Sequence, residues 1–221
     1  MEVRPMAKRR KVGNLMALAV LSVLAHRPMH PYEMAGALRG WGKDRDMGVK
    51  WGSLYSVVQR LADHGFIEEA GTFREGNRPE RTIYQITKAG RDELVDWARE
   101  LLANPEVEPS RFRAGLSVMV ALPPGEVAGL LRDRLTVLQE QAAALRETLE
   151  THRDVPRLFL AEEEYDLAMI EAETRWARGL LDEIESGSFP GLGQWRDFHD
   201  SGTLPEEMKD LAEKNIENGD R

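Results

Sequence analysis

The chain of 221 residues contains no cysteine, which excludes disulfides, thiolate metal sites and a cysteine nucleophile. Long hydrophobic runs are missing too. The longest apolar stretch, residues 15–25, has the length of a core helix and falls short of the roughly 20 residues that a membrane span needs. Its basic lead, Lys8-Arg9-Arg10-Lys11, imitates the start of a secretion signal, but His26-Arg27-Pro28 follows in place of a small-residue cleavage site. The five histidines, His26, His30, His64, His152 and His199, are scattered without ligand spacing. No glycine-rich phosphate loop, His-Glu-x-x-His pair or Gly-x-Ser-x-Gly elbow occurs. Glu162-Glu163-Glu164 reads as the acidic first turn of a helix, where carboxylates are favoured, rather than as an acid–base or cation site. These absences speak against an enzyme, a metal or a cofactor, and suit a cytoplasmic protein with no membrane attachment.

Positive charge is in deficit overall, at a net −8, but the deficit is uneven. Residues 1–91 carry 16 Lys and Arg against 9 Asp and Glu, a net of +7, and the remainder carries 14 against 29, a net of −15. A basic portion joined to an acidic one suggests a surface that meets nucleic acid and a second part held away from phosphate.

Residues 50–90 organise the basic portion. Leu54, Val57, Val58 and Leu61 recur at spacings of three and four, which puts them on one helix face. Ser53, Ser56, Gln59, Arg60 and Asp63 fall on the other. Gly65 stands where a left-handed cap residue is wanted. A short apolar run, Phe66-Ile67, leads into a loop with Gly71, Gly76, Asn77 and Pro79, and a β-forming run over residues 81–86 answers it. Helix, strand, loop, strand is the layout of a winged helix, whose helix has about the width of a DNA major groove. Upstream, Asn14 is an N-cap candidate for a helix to about residue 26 that is apolar almost all round and therefore needs cover on several sides. A second helix spans residues 32–39, and residues 40–48 form a charged, glycine-rich loop in which Trp41 has no evident role. Downstream, Thr87 caps a helix to about residue 103, with Leu94, Trp97, Ala98, Leu101 and Leu102 on its apolar face.

Residues 104–109 contain two prolines and mark a domain boundary. A short apolar helix over residues 111–122 ends at Pro123-Pro124. From residue 125 to about 153, Ala128, Leu131, Leu135, Leu138, Ala142, Leu145 and Leu149 alternate spacings of three and four, the seam of a coiled coil. Pro156 breaks it. A helix over residues 161–185 follows, with Tyr165, Met169, Ala172, Trp176 and Leu180 along one face, so the two long helices make an antiparallel pair. The domain reading is a flexible basic arm at 1–12, a winged-helix domain at 13–104, a helical dimerisation domain at 105–186, and a disordered acidic tail at 187–221 that begins with a glycine-rich linker.

The sequence Gly52-Ser53-Leu54-Tyr55 followed by Leu61, Gly65 and Ile67 resembles the PadR family of bacterial transcriptional regulators. So do Tyr84-Gln85-Ile86-Thr87-Lys88-Ala89-Gly90 and Pro31-Tyr32-Glu33-Met34. The likeness covers roughly the first hundred residues and continues more loosely to about 185, where Glu173-x-x-Trp176 is similar to the family's C-terminal dimerisation domain. Lys50-Trp51 departs from the small residue and proline that the family often has. The resemblance implies a mainly α protein with a small β-hairpin wing: a winged helix-turn-helix domain followed by an antiparallel, coiled-coil dimerisation domain. It implies a homodimeric regulator, usually a repressor, on a pseudo-palindromic DNA operator, with the first helix contributing to the dimer interface. Trp97 and Trp176 are the candidate positions for a small effector, and the plainer reading, both rings as core, is preferred. The alternative function is a protein-interaction adaptor that uses the winged helix as scaffold and the coiled coil for partners.

The candidate DNA contacts are Tyr32 at the start of the second helix, Lys50, Ser53, Tyr55, Ser56, Gln59 and Arg60 on the recognition helix, and Arg74, Asn77, Arg78 and Arg81 on the wing. Lys or Arg can read guanine and Gln can read adenine. Tyr55 is expected to pack its ring and extend its hydroxyl to a phosphate. Lys8 to Lys11 make either a basic arm on the DNA backbone or a frayed, solvated end. The dimerisation candidates are Leu131, Leu135, Leu138, Leu145, Leu149, Met169, Trp176 and Leu180.

Overall fold

Asn14 opens the first helix: its side-chain oxygen accepts from the Ala17 N–H at 3.0 Å, satisfying one of the donors that a helix start leaves over. The structure, a computed structural model, describes residues 10–43, 47–48, 51–73, 81–105 and 110–203. The chain divides into two compact units, Met1–Val107 and Glu108–Arg221.

In the first unit, helix α1 (Leu15–Leu24) is buried at every position from 16 to 24 except Ser22. Helices α2 (Pro31–Gly40), α3 (Leu54–Asp63) and α4 (Lys88–Ala103) pack around it, together with the second strand of a hairpin. The cover that an all-round apolar helix demands thus comes from its own unit. Of the large apolar residues of α1, Leu15 alone is left exposed, so the dimer contact expected of this helix is not what hides its apolar surface. A short 3₁₀ turn, Trp51–Ser53, leads into α3.

The hairpin pairs β1 (Ile67–Phe73) with β2 (Arg81–Ile86) antiparallel, Ile67 opposite Ile86 and Glu69 opposite Tyr84. The register then slips, and Gly71 faces Ile83. Ala70 is therefore the extra residue of a β-bulge. Gly71 has φ 148°, a conformation that a side chain would oppose. It is a strand glycine, not the loop glycine that composition suggests, and β1 runs well beyond Ile67.

A second glycine is required by packing. Thr87 caps α4: its hydroxyl accepts from the Gly90 N–H at 3.1 Å and donates to the Gly65 carbonyl at 2.7 Å, while its own N–H donates to the Phe66 carbonyl. This folds the start of α4 onto the end of α3 so tightly that a Cβ on Gly90 would lie 2.0 Å from the Phe66 carbonyl oxygen. Gly65 itself turns the chain with φ 72°.

Arg10 departs from both readings of the basic N-terminal run. Its side chain is buried, donates to Glu93 at 2.6 Å and to Glu100, and stacks on Trp97 with its guanidinium carbon 4.9 Å from the ring centroid. Residues 93, 97 and 100 share one face of α4, so Arg10 is clasped along that face. Val12 is core. The described end of the presumed arm is therefore packed, because two carboxylates at helical spacing draw the arginine in and an aromatic ring covers its stem. Lys8 and Arg9 lie outside the described residues. On α4, Trp97 is buried, while Leu101 and Leu102 are exposed rather than inward.

The second unit contains α5 (Arg111–Ser117), a 3₁₀ turn (Met119–Ala121), α6 (Pro124–Thr151), α7 (Ala161–Ser186) and α8 (Leu192–Ser201). The long pair is antiparallel: Arg132 bonds Glu185 at 2.6 Å and Arg146 bonds Glu171 at 2.6 Å, residue numbers falling on one helix as they rise on the other. Val127, Ala128, Leu131 and Leu135 of α6 cluster with Ala177, Leu180, Leu181 and Ile184 of α7, and Leu138 and Ala142 are buried further along. The seam is filled within the chain. Leu131, Leu135, Leu138 and Leu180 therefore have no apolar surface to offer a second copy, while Leu145 and Leu149 are half-buried.

The expected linker and disordered tail are corrected by α8. Gly187 and Gly191 turn the chain at φ 81° and 79°. Leu192 and Trp195 then enter the same core, and the Trp195 indole N–H donates to the Leu122 carbonyl at 2.9 Å. The rest of the tail, 204–221, lies outside the described residues. Among those residues no helix is long and apolar enough to cross a membrane.

Candidate nucleic-acid interface

The interface is built where α2, α3 and the hairpin meet. His30 caps α2: its Nδ1 accepts from the Tyr32 N–H at 3.1 Å, and Glu33 reaches back to accept from the His30 N–H at 2.9 Å. This is a capping box with an imidazole as the acceptor. Arg27 holds Glu33 from outside at 3.2 Å. The His30 N–H bond keeps the Glu33 carboxyl below its ordinary range, and Arg27 adds to this against the cost of burial. Burial, and then the charge of Arg81 at the base of the hairpin, push the His30 imidazole below its ordinary value; Glu33 pulls the other way. Met29 and Tyr84 exchange two backbone hydrogen bonds of 3.0 Å. The turn before α2 is thereby stitched to β2, which fixes the start of α2 against the hairpin.

The start of α3 is fixed from the other side. Arg39, in the last turn of α2, lays its guanidinium 4.4 Å above the Trp51 ring. Trp41 is half-exposed and meets His26 edge-on, the ring centroids 4.8 Å apart. Composition does not reveal the Arg39–Trp51 stack. Its signal is a cation and an aromatic placed at the facing ends of two successive helices.

Helix α3 buries Leu54, Val57, Val58 and Leu61 and exposes Tyr55, Ser56, Gln59, Arg60 and Asp63. The Ser56 hydroxyl donates to the Ser53 carbonyl at 2.8 Å, which uses its one proton and leaves the oxygen to act as an acceptor. The Gln59 amide donates to Asp63 at 2.9 Å. Ser53 is half-buried at the helix start. Tyr55 is 64% exposed, which corrects the expectation that its ring packs: its position falls on the solvent side of the helix. Tyr32 is likewise 70% exposed, in the first turn of α2. Arg81 is half-buried at the foot of β2. The structure thus gathers Tyr32, Tyr55, Ser56, Gln59, Arg60 and Arg81 as available side chains of one unit. Lys50, Arg74, Asn77 and Arg78 lie outside the described residues.

The two rings expected near an effector differ. Trp97 is closed off as core beneath Arg10, because the clasp occupies the face a ligand would need. Trp176 is half-exposed and meets Phe112 edge-on at 5.9 Å, with Arg134 stacked on Phe112.

Residues 20–96 match the model of the transcriptional regulator PadR-like family. The first unit is a PadR-like regulator domain. That family consists of transcriptional regulators, not enzymes. Over 144 residues the chain is 24% identical to the negative transcriptional regulator PadR of Bacillus subtilis strain 168, covering 62% of this chain and 74% of the relative. Its fold is similar to the crystal structure of Bacillus subtilis PadR in complex with operator DNA, at a TM-score of 0.64 and 21% identity over 77% of this chain and 99% of that one. It is similar too to the same protein in complex with p-coumaric acid, at 0.64 and 20% over 78% and 99%. At such identities the likeness is one of fold. It bears out the winged-helix layout and the helical character of the second unit. The matched span runs from α1 through the hairpin into α4 and so contains α2, α3 and both strands.

Proposed function

We propose that the protein is a sequence-specific DNA-binding transcriptional regulator, cytoplasmic and homodimeric, that represses from a pseudo-palindromic operator and is released by a small effector. The observation that carries the DNA reading is α3: one face is wholly buried, the other wholly polar or aromatic, and a β-hairpin stands beside it in a unit whose first 91 residues carry a net +7. A helix of this kind fits the major groove, with the hairpin on the flanking backbone. The relative described as a negative regulator, and its complex with operator DNA, support repression and DNA as the partner. The complex with p-coumaric acid supports a small effector. Within this reading Tyr32, Ser53, Tyr55, Arg74, Asn77, Arg78 and Arg81 hold phosphates, Ser56 and Gln59 meet bases, and Lys50 and Arg60 can serve either.

Dimerisation is assigned to the outer stripe of α7. Tyr165, Met169 and Trp176 are all exposed at spacings of four and seven, and Ala172 between them is exposed as well. An exposed apolar stripe of this length on a helix marks a partner surface, and a second copy brings two recognition helices to two half-sites. Selection of bound sequences from a random DNA pool is the test. A palindromic winner whose affinity falls steeply with salt supports the proposal. Failure to enrich any sequence, with binding insensitive to salt, would sink it and favour a protein partner.

A further inference from the structure

One charge on the exposed face of α3 is set against the dipole of the helix that carries it, although the side-chain pair it makes is of the kind that supports a helix. Asp63 is the last residue of α3, and a carboxylate at a helix C-terminus opposes the macrodipole, where a cation would be favoured. Its hydrogen-bond partner is the Gln59 side chain one turn earlier, Nε2 donating to Oδ1 at 2.9 Å. Both residues are exposed, so the pair seals no core and covers no apolar surface. Departures from a local stability rule without a packing gain are expected at functional sites. The chemistry of the pair suggests the gain. A primary amide has two N–H donors and one acceptor. With one N–H given to Asp63, Gln59 still presents one N–H and its Oε1, the two groups that the N7 and N6 edge of adenine calls for. A free glutamine can turn its amide over to suit either order of donor and acceptor; a glutamine whose nitrogen is anchored cannot.

We propose that Asp63 is a positioning residue for base readout: it fixes the orientation of the Gln59 amide, and its charge discourages binding to phosphate alone. The proposal rests on the reading of α3 as the helix that meets DNA. It makes Asp63 a source of discrimination rather than of affinity, since a carboxylate facing a polyanion weakens attraction to every sequence alike.

The test uses the full chain with two duplexes of equal length, the best site selected from a random pool by the unsubstituted protein and a scrambled one. The measured quantity is the ratio of the two affinities. D63A is expected to lower that ratio about tenfold, the loss of one oriented base contact. D63N, whose side-chain oxygen still accepts from Gln59, should keep most of the ratio while binding both duplexes more tightly. In a Q59A background D63A should lower the ratio no further, and circular dichroism should show unchanged helix content throughout. If D63A keeps the full ratio while Q59A loses it, Asp63 is idle and the proposal is wrong. If D63A costs as much without Gln59 as with it, Asp63 contacts DNA itself and does not position. If Q59A leaves the ratio intact, the assignment of Gln59 as a base reader fails, and the proposal with it. If the unsubstituted chain selects no site at all, it is the DNA reading that has failed.

Discussion

At the scale of single residues, two positions join the backbone of the first unit to its surface. Gly90 is the tighter. The Phe66 carbonyl already accepts from the Thr87 N–H, so it cannot move away from an added methyl without breaking the cap. Gly90→Ala is expected to lower stability by about 3 kcal/mol, the upper part of the range for overpacking, as measured by urea denaturation. A cost below about 1 kcal/mol would mean that the α3–α4 joint has slack. His30 is the pH-sensitive one. Its Nδ1 can accept from the Tyr32 N–H only while that nitrogen is unprotonated. Arg81, Arg27 and Glu33 are the charges around it. Because its folded value is depressed below the unfolded value of about 6.5, its contribution is complete above that pH. The contribution is lost as pH falls through the unfolded and then the folded value, with no further loss below. Thermal unfolding between pH 7.5 and 5 should therefore show a decrease that His30→Asn reduces, since asparagine caps a helix without titrating. An unchanged pH dependence in the variant would assign the decrease to other groups.

At the scale of elements, the α6–α7 pair is held by its seam, because its exposed ion pairs contribute little each. Leu138→Ala should cost about 3 kcal/mol and loosen the second unit itself, seen as a lower midpoint in denaturant. Loss of the dimer with full stability would instead place Leu138 between subunits. The seam was plain in the sequence because heptad spacing does not depend on which chain supplies the facing helix. For the same reason the spacing could not say that α7, rather than a second copy, fills it. Helix α3 was legible through Leu54, Val57, Val58 and Leu61, and the caps at Asn14 and Thr87 through residue type. What stayed hidden was tertiary. Arg10 sits in a run of four cations that looks like solvated charge, and only the carboxylates on α4 turn it inward. Helix α8 rests on Leu192 and Trp195 in a stretch whose glycines and charges read as tail. The extension of β1 past Ile67 depends on a bulge at Ala70, which no local pattern announces. Gln59 and Asp63 stand four apart, a spacing that pairs side chains on any helix; the sequence shows that they can meet but not what else they touch.

At the scale of the whole molecule, the two charge balances, +7 for residues 1–91 and −15 beyond, divide the labour. In the proposed reading the attraction to phosphate comes from the basic part, so the affinity of a homodimer for DNA depends on two such parts acting together. Met169 tests this. It is 52% exposed, so Met169→Glu places a carboxylate in water when the chain is alone and buries an unpaired charge when α7 stripes meet, a cost of several kcal/mol to the dimer. The variant should keep its helix content and denaturation midpoint but behave as a monomer in light scattering. On DNA its salt dependence should fall to about half, since each phosphate neutralised contributes about 0.9 to the slope and a monomer neutralises half as many. It should also lose the advantage of a full palindrome over a single half-site, because that advantage comes from tethering a second domain about one helical turn away. A variant that remains dimeric, with an unchanged slope and an unchanged preference for the palindrome, would place the interface off the Tyr165–Trp176 stripe.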